Sequence, residues 1–438
     1  MVSRITHALQ RLRRQLVWQH LRLFGFSLLG LFFLLTLRFD TSLLLFPIPD
    51  LTPPTPLRIL GVGLAVALLV ALNMTGYFAP GVHYLEDHET LAGEPVARLR
   101  EQARELARRL GLRPPRFRVA ALESVPYLAV LDRPGSRDDL LLVPTHPEIL
   151  NHPQDLQAVL AHEVGHLWAH TGLQNTLRVV YRAPLRALEL AGYVLIYAAY
   201  LAQVGPLLSL FPALLYGLLW HRLTRLLVRA TYGRWNTELS YTNEFLADTV
   251  ALKLLGLEAV ANMLVRVHFR ILVQVILTDL ARYLGTLAPY IGLDPKAVAS
   301  EAGALLQQAL RQHPYSVEQA GRRLLLGFLE VFGETLGLNP RALQDLPAKE
   351  ILARILERVP RRQRLSLAFQ TPATLLVLNE PGPERYDLYP PYGQLDPGEL
   401  RHLVRQAREA GRISIADLPS DTHPSILARL RHLLAVAG

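Results

Sequence analysis

Leu160-Ala161-His162-Glu163-Val164-Gly165-His166-Leu167 sets two histidines four residues apart around a glutamate. On an α-helix, positions i and i+4 share a face, so both imidazoles can hold one metal ion. Glu163 lies beside that face, where it can take a proton from a metal-activated water and pass one to a leaving amine. Zinc lowers the pKa of a bound water to about 7, which makes hydroxide available at neutral pH. Taken bare, the spacing also fits two surface histidines and a solvated glutamate. Apolar Leu156, Val159, Leu160, Val164 and Leu167 predict a half-buried helix over about 155–170, beginning after Asn151-His152-Pro153.

A catalytic zinc takes three protein ligands and keeps one open position. A histidine six residues after His166 would serve, but Gly172 stands there; a glutamate about twenty residues on would serve, but Arg186 stands there. Glu189 falls at the mouth of an apolar run and reads as an interfacial residue. The better candidate is Asn243-Glu244-Phe245-Leu246-Ala247-Asp248. Glu244 and Asp248 share a helix face; the first can bind zinc, and the second can accept the N–H of a ligating histidine. Without the upstream histidines the pair would read as ordinary exposed acids. His170, one turn beyond His166, would crowd a four-coordinate site and reads as a packing or supporting residue.

Half of the 438 residues are hydrophobic and 19% are Asp, Glu, Lys or Arg, a mix suited to a chain partly in lipid and partly in water. The formal charge is +9, almost all of it from arginine, since Lys253, Lys296 and Lys349 are the only lysines. The arginines cluster beside apolar runs, which points to anionic headgroups and topology signals, not nucleic acid. No phosphate-binding glycine loop or aromatic–basic platform is present. With no cysteine, any transition metal must be held by histidines and carboxylates.

Leu23–Leu37, bounded by Arg22 and Arg38, is short for a span; no small-residue cleavage pattern follows it, so it reads as an uncleaved crossing. Ile59–Val82 carries no charge and covers a hydrocarbon core of ~30 Å. Leu190–Trp220 is likewise uncharged, with Gly205-Pro206 near its middle. Arg178, Arg182 and Arg186 precede it and Arg222, Arg225 and Arg229 follow it, so both flanks belong on the cytoplasmic side and the run is expected to be a hairpin of two spans. An even number of crossings returns Glu244 to the side that holds the histidines.

Between these runs the chain reads as soluble. Residues 95–111 form an amphipathic helix; 117–131 and 138–144 are strands separated by a turn at Asp132-Arg133-Pro134-Gly135. Residues 258–285 are apolar but contain Arg266, Arg270, Asp279 and Arg282, which argues for a packed helix instead of a span. A proline-rich stretch, 379–397, precedes the last helix. The expected organisation is 1–85 with two spans, 86–182 with the histidine helix, the hairpin 183–229, 230–312 with the third ligand, an extra region 313–415 (a lid or partner module), and a terminal box helix 416–438.

The order HEVGH, two membrane segments, then E-x-x-A-D, with two membrane segments ahead, resembles the HtpX-like zinc metallopeptidases, a group that includes the type I CaaX prenyl proteases. The resemblance covers roughly residues 55–265. It implies a mainly α membrane protein with a small β-sheet, its zincin-type (gluzincin) catalytic domain built around transmembrane helices. It also implies one Zn2+ per chain held by His162, His166 and Glu244, with Glu163 as general base and Asp248 supporting a ligand. Members often carry a downstream H-P-P-x-x-x-R box, and Thr422-His423-Pro424-Ser425-Ile426-Leu427-Ala428-Arg429 matches its H, P and R. His423 could then meet the tetrahedral oxyanion and Arg429 could orient substrate or a carboxylate; the plain reading is a helix N-cap followed by a surface arginine. Two positions depart from the pattern: Ser240-Tyr241 replaces Ser-Arg, and Pro126-Tyr127-Leu128 replaces the Asn-Ala-Phe strand.

The resemblance implies an endopeptidase in membrane-protein quality control, at a bacterial inner membrane with its site facing the cytoplasm. Its partners would be the lipid bilayer and protein or peptide substrates such as misfolded membrane proteins, added along an edge strand near Tyr127–Leu131. Two alternatives stand beside it: cleavage of prenylated C-terminal peptides, for which seven spans are expected where four are read, and a membrane adaptor or sensor with a silent zinc site.

Overall fold

In the computed structural model the described residues are 2–40, 47–78, 83–86, 89–91, 94–112, 117–121, 129–131, 139–143, 153–313, 316–368, 398, 401–402, 405 and 423–438. The protein is mostly helical with a small sheet, as the resemblance implies. Among the described residues four helical stretches are long and apolar enough to cross a membrane: Ser3–Thr36, Pro56–Asn73, Gln203–Leu255 and Leu257–Ile291. None of the most apolar part of Pro56–Asn73 is buried against protein, whereas 72% of that of Leu257–Ile291 is, so the latter packs as a core helix.

The first helix, α1 (Val2–Thr36), has two environments. Ile5, Leu9, Leu12, Leu16 and Leu23 join the main core, while Leu28, Leu29 and Phe32 are exposed. Strands β1 (Leu37–Asp40) and β2 (Ile48–Leu51) pair antiparallel, and α2 (Pro56–Phe78) runs back with Leu57, Leu64 and Leu72 exposed. Arg58 donates to the carbonyls of Leu34 and Leu37, tying the two helices where β1 and β2 turn the chain.

A later helix, α5 (Thr171–Val228), contains the uncharged run and is bent at Gly205 (φ 77°, ψ 172°), backbone that side-chain-bearing residues avoid. The two arms fold against each other. Trp220 Nε1 donates to the Leu188 carbonyl at 3.0 Å, and Tyr193 meets His221 with ring centroids 6.1 Å apart. Gly192 and Gly217 make this possible, because a Cβ on either would fall within the Trp220 or Tyr193 ring. Around Gly205-Pro206 the chain thus forms two helical arms packed side by side. Leu207, Phe211 and Leu214 face outward from them, as a lipid-facing surface would.

The helix α3 (Val96–Arg109) buries Val96, Leu99, Ala103, Leu106 and Ala107 against the core, at helical spacing. The described sheet has the order β3 (His83–Tyr84), β6 (Phe117–Ala121), β8 (Asp139–Val143), β7 (Ala129–Leu131), the short β4 (Thr90–Leu91) and β5 (Glu94–Pro95) forming a separate pair. The expected single strand 117–131 is two strands on opposite sides of β8. One pairs parallel and one antiparallel with it, so a break between them is required. Strand β7 lies at the edge, beside the histidine helix; Pro126, Tyr127 and Leu128 lie outside the described residues.

The catalytic-side core is built by α4 (Pro153–Trp168), α6 (Arg234–Leu255) and α7 (Leu257–Leu287), with α8 (Pro295–Gln312) and α9 (Val317–Leu336) stacked beyond. Part of the extra region 313–415 is thus core: Ala320, Leu324, Phe328 and, further on, Ile351 and Ile355 are fully buried. The proline-rich 379–397 lies outside the described residues. Buried Arg266 of α7 pairs with Asp155 in the first turn of α4 at 3.1 Å, and the acid also suits the positive end of that helix.

Candidate metal centre

The histidines sit on α4, whose apolar residues Leu156, Val159, Leu160 and Val164 are all buried. Facing them is α6, which buries polar Asn243, Glu244, Asp248 and Thr249 in the same interface. Gly165 lets the two helices approach: a Cβ there would lie 2.8 Å from Ala247 Cα and 2.9 Å from its carbonyl oxygen. Those are backbone atoms and cannot swing aside. Gly165→Ala is expected to push α4 off α6, costing roughly 1–3 kcal/mol as overpacking does and weakening metal retention. A melting temperature and metal content equal to wild type would contradict the close-approach argument.

Across this interface His162, His166 and Glu244 offer one ligand atom each, all within 4.8 Å of one another. His162 Nε2 stands 3.5 Å from Glu244 Oε2, and His166 Nε2 stands 3.6 Å from Oε1. These separations are long for hydrogen bonds. They suit three atoms around one ion, since tetrahedral ligands at about 2.0–2.1 Å sit about 3.3 Å apart. Glu244 Oε2 is a buried oxygen with no hydrogen-bond donor, a cost that a cation would remove. The donor set of two imidazoles and a carboxylate suits zinc. Glu163 is buried between the two histidines on the same helix.

Each ligand is held from behind. His162 Nδ1 lies 2.9 Å from Asp248 Oδ1, so its Nδ1–H is donated there and Nε2 is left for the ion. His166 Nδ1 lies 3.4 Å from Thr171 Oγ1 at the start of α5. Burial works to lower the His162 pKa, but the hydrogen bond to Asp248 and the nearby Glu244 carboxylate outweigh it and raise the imidazole to about 10. Burial pushes His166 down to about 4. A second proton on His162 would occupy Nε2, the position an ion takes on binding.

The C-terminal helix, Ile426–Ala437, supplies the rest. Ser425 caps it by accepting from the Ala428 N–H at 3.2 Å, as the plain reading of the box expects. Arg429 is not at the surface, however; it is 7% exposed. Its Nε and Nη2 donate to Asp248 Oδ2 and Oδ1 at 2.8 and 2.6 Å, a two-pronged contact, and Nη1 reaches Glu244 Oε2 at 3.4 Å. His423 Nε2 stands 3.5 Å from Glu244 Oε1. One turn beyond Arg429, His432 contacts Thr249 Oγ1 at 2.8 Å and stacks near Phe245, which docks the helix on α6.

Six of the candidate residues are therefore brought together, His162, His166, Glu244, Asp248, His423 and Arg429, and Glu163 is buried next to His162 on α4. Glu189 is buried in α5 and is not in the ligand group, and His170 is exposed at φ 56° where α4 ends. Thr171 was not legible in the sequence, since a hydroxyl five residues past a histidine has no distinctive spacing. Nor was the Asp155–Arg266 pair, whose members are far apart in the chain.

Neither a curated protein nor a solved structure matches this chain. The sequence model of Peptidase family M48 matches residues 94–437, which takes in the histidine helix, the hairpin, the second acidic helix and the terminal box. The chain belongs to peptidase family M48, the metallopeptidase family that contains HtpX and the CaaX prenyl proteases.

Proposed function

We propose that the protein is a membrane-bound, zinc-dependent endopeptidase of gluzincin type, acting in membrane-protein quality control with its site on the cytoplasmic face of a bacterial inner membrane. The observation that carries this reading is the convergence of His162, His166 and Glu244 around one point, with Asp248 behind His162. His162, His166 and Glu244 would hold the zinc, which when bound would supply Lewis-acid polarisation of the scissile carbonyl and activation of a water at neutral pH. Glu163 takes the proton of the attacking water and delivers it to the leaving amine. Asp248 keeps the His162 tautomer that points Nε2 at the ion, and Arg429 holds Asp248 and the carboxylate of Glu244 in place. His423, half exposed and beside Glu244, donates to the oxyanion in this reading. An extended peptide adds antiparallel along β7, whose outer edge has no partner strand among the described residues.

The orientation rests on charge. Arg178, Arg182, Arg186, Arg222, Arg225 and Arg229 flank the hairpin on the side that carries the metal centre, which the positive-inside rule assigns to the cytoplasm. With Leu257–Ile291 largely buried, α1, α2 and the two arms of α5 are left as crossings among the described residues, which favours a general endopeptidase over a prenyl protease with seven spans. The test is metal content. Wild type is expected to purify with about one zinc per chain, and Glu244→Ala with far less, since two imidazoles alone hold it weakly. Stoichiometric zinc in Glu244→Ala would remove that residue from the ligand set.

A further inference from the structure

Apart from the metal centre, the structure has a cavity of about 540 Å³ between the second half of α2, the first turns of α5, and the start of α6. Arg178, Arg182 and Arg186 line it from α5, with Asn73, Asn175 and Tyr232 around them. The three arginines recur every fourth residue, so they project from one helix face. Like charges at that spacing repel. Among the described residues none of the three forms an ion pair. Arg178 donates to Asn175 Oδ1 at 3.2 Å and Ser240 Oγ at 3.3 Å, both neutral acceptors, and its carbonyl accepts from the Tyr232 hydroxyl at 2.9 Å. Arg182 and Arg186 are exposed into this space. Three uncompensated guanidinium groups around one cavity call for an anion with several acceptor oxygens.

The opposite wall says which kind of anion. It is made by Leu69 and Leu72 of α2, the helix of whose most apolar stretch no residue is fully buried. Counting 1.5 Å per residue from Pro56, Asn73 stands about 25 Å along α2, close to the far limit of a ~30 Å hydrocarbon core. The arginines thus sit at headgroup depth, and the exposed leucines of α2 run from the cavity into the lipid. We infer that this cavity binds the phosphodiester headgroup of an anionic glycerophospholipid, its acyl chains lying along α2. Basic pockets between membrane helices on the cytoplasmic side recognise lipid phosphates in this way. The inference rests on the membrane reading of α2 and α5, not on the peptidase chemistry.

The test uses the full chain in detergent, with native mass spectrometry to count lipid adducts as phosphatidylglycerol, phosphatidylcholine or inorganic phosphate is added. Wild type should retain one phosphatidylglycerol at concentrations where phosphatidylcholine and inorganic phosphate leave no adduct. Arg182→Gln/Arg186→Gln should weaken that binding at least tenfold. Arg222→Gln/Arg225→Gln removes the same charge from exposed positions on the same side of the membrane but outside the cavity, and should bind as wild type does. Equal weakening in both variants would mean diffuse attraction and overturn the site. So would equal binding of phosphatidylcholine, or displacement of the lipid by millimolar inorganic phosphate.

Discussion

Glu163→Gln should fold, keep its zinc, and lose peptide-bond hydrolysis by roughly 10²–10⁴-fold, the range of a general base. The amide has nearly the same size as the carboxyl group, so the buried position on α4 is not emptied. It is not among the three groups whose ligand atoms cluster, so metal content should be unchanged. What the variant lacks is an acceptor for the proton of the attacking water. The measurement is turnover of an unfolded casein-like substrate beside zinc content of the same preparation. Cleavage at the wild-type rate would sink the mechanism, whereas loss of zinc together with activity would instead move Glu163 into the ligand set.

The largest stability effect is expected at Arg429. Asp248 is fully buried and Glu244 nearly so, and Arg429 is the arginine that touches both of them. Arg429→Ala would leave two neighbouring carboxylates in a poorly solvated interface. Removing one partner of a buried pair typically costs about 3–5 kcal/mol, because the remaining charge is stranded. A bound ion offsets the charge of Glu244 but does not touch Asp248. The loss should therefore be larger in chelator-treated protein than in the zinc form. Arg429→Lys keeps the charge but cannot make the two-pronged contact, and should recover only part of the loss. Thermal unfolding in detergent, with and without chelator, measures both differences. Equal melting temperatures for wild type and Arg429→Ala would show that the guanidinium carries no such load.

The chemistry of this chain was legible at short range and much less so at long range. The i, i+4 histidines with a glutamate between them announce their geometry, because an α-helix converts that spacing into a shared face whatever surrounds it. The uncharged runs are equally plain, since a bilayer core excludes charge over a length that can be counted in residues. Strand boundaries were not plain. Residues 117–131 read as one strand, although the sheet uses Phe117–Ala121 and Ala129–Leu131 on either side of β8. Pairing partners far along the chain decide such a break. Arg429 is the sharper case. A histidine, a proline and an arginine near a terminus describe a helix cap as well as a site, and nothing local distinguishes a solvated arginine from one buried against two acids.

The sequence by itself determined the elements: a helix with two histidines on one face, apolar runs long enough to cross a membrane, and a second helix with paired acids. Their backbone geometry follows from period and polarity alone. Only the tertiary structure decided that Gly165 brings α4 against Ala247, that Glu244 completes a three-atom cluster with the histidines, and that Arg429 lies over Asp248. The physical reason is that metal-ligand and buried-charge contacts act over a few ångströms between residues far apart in the chain, and folding alone sets those distances.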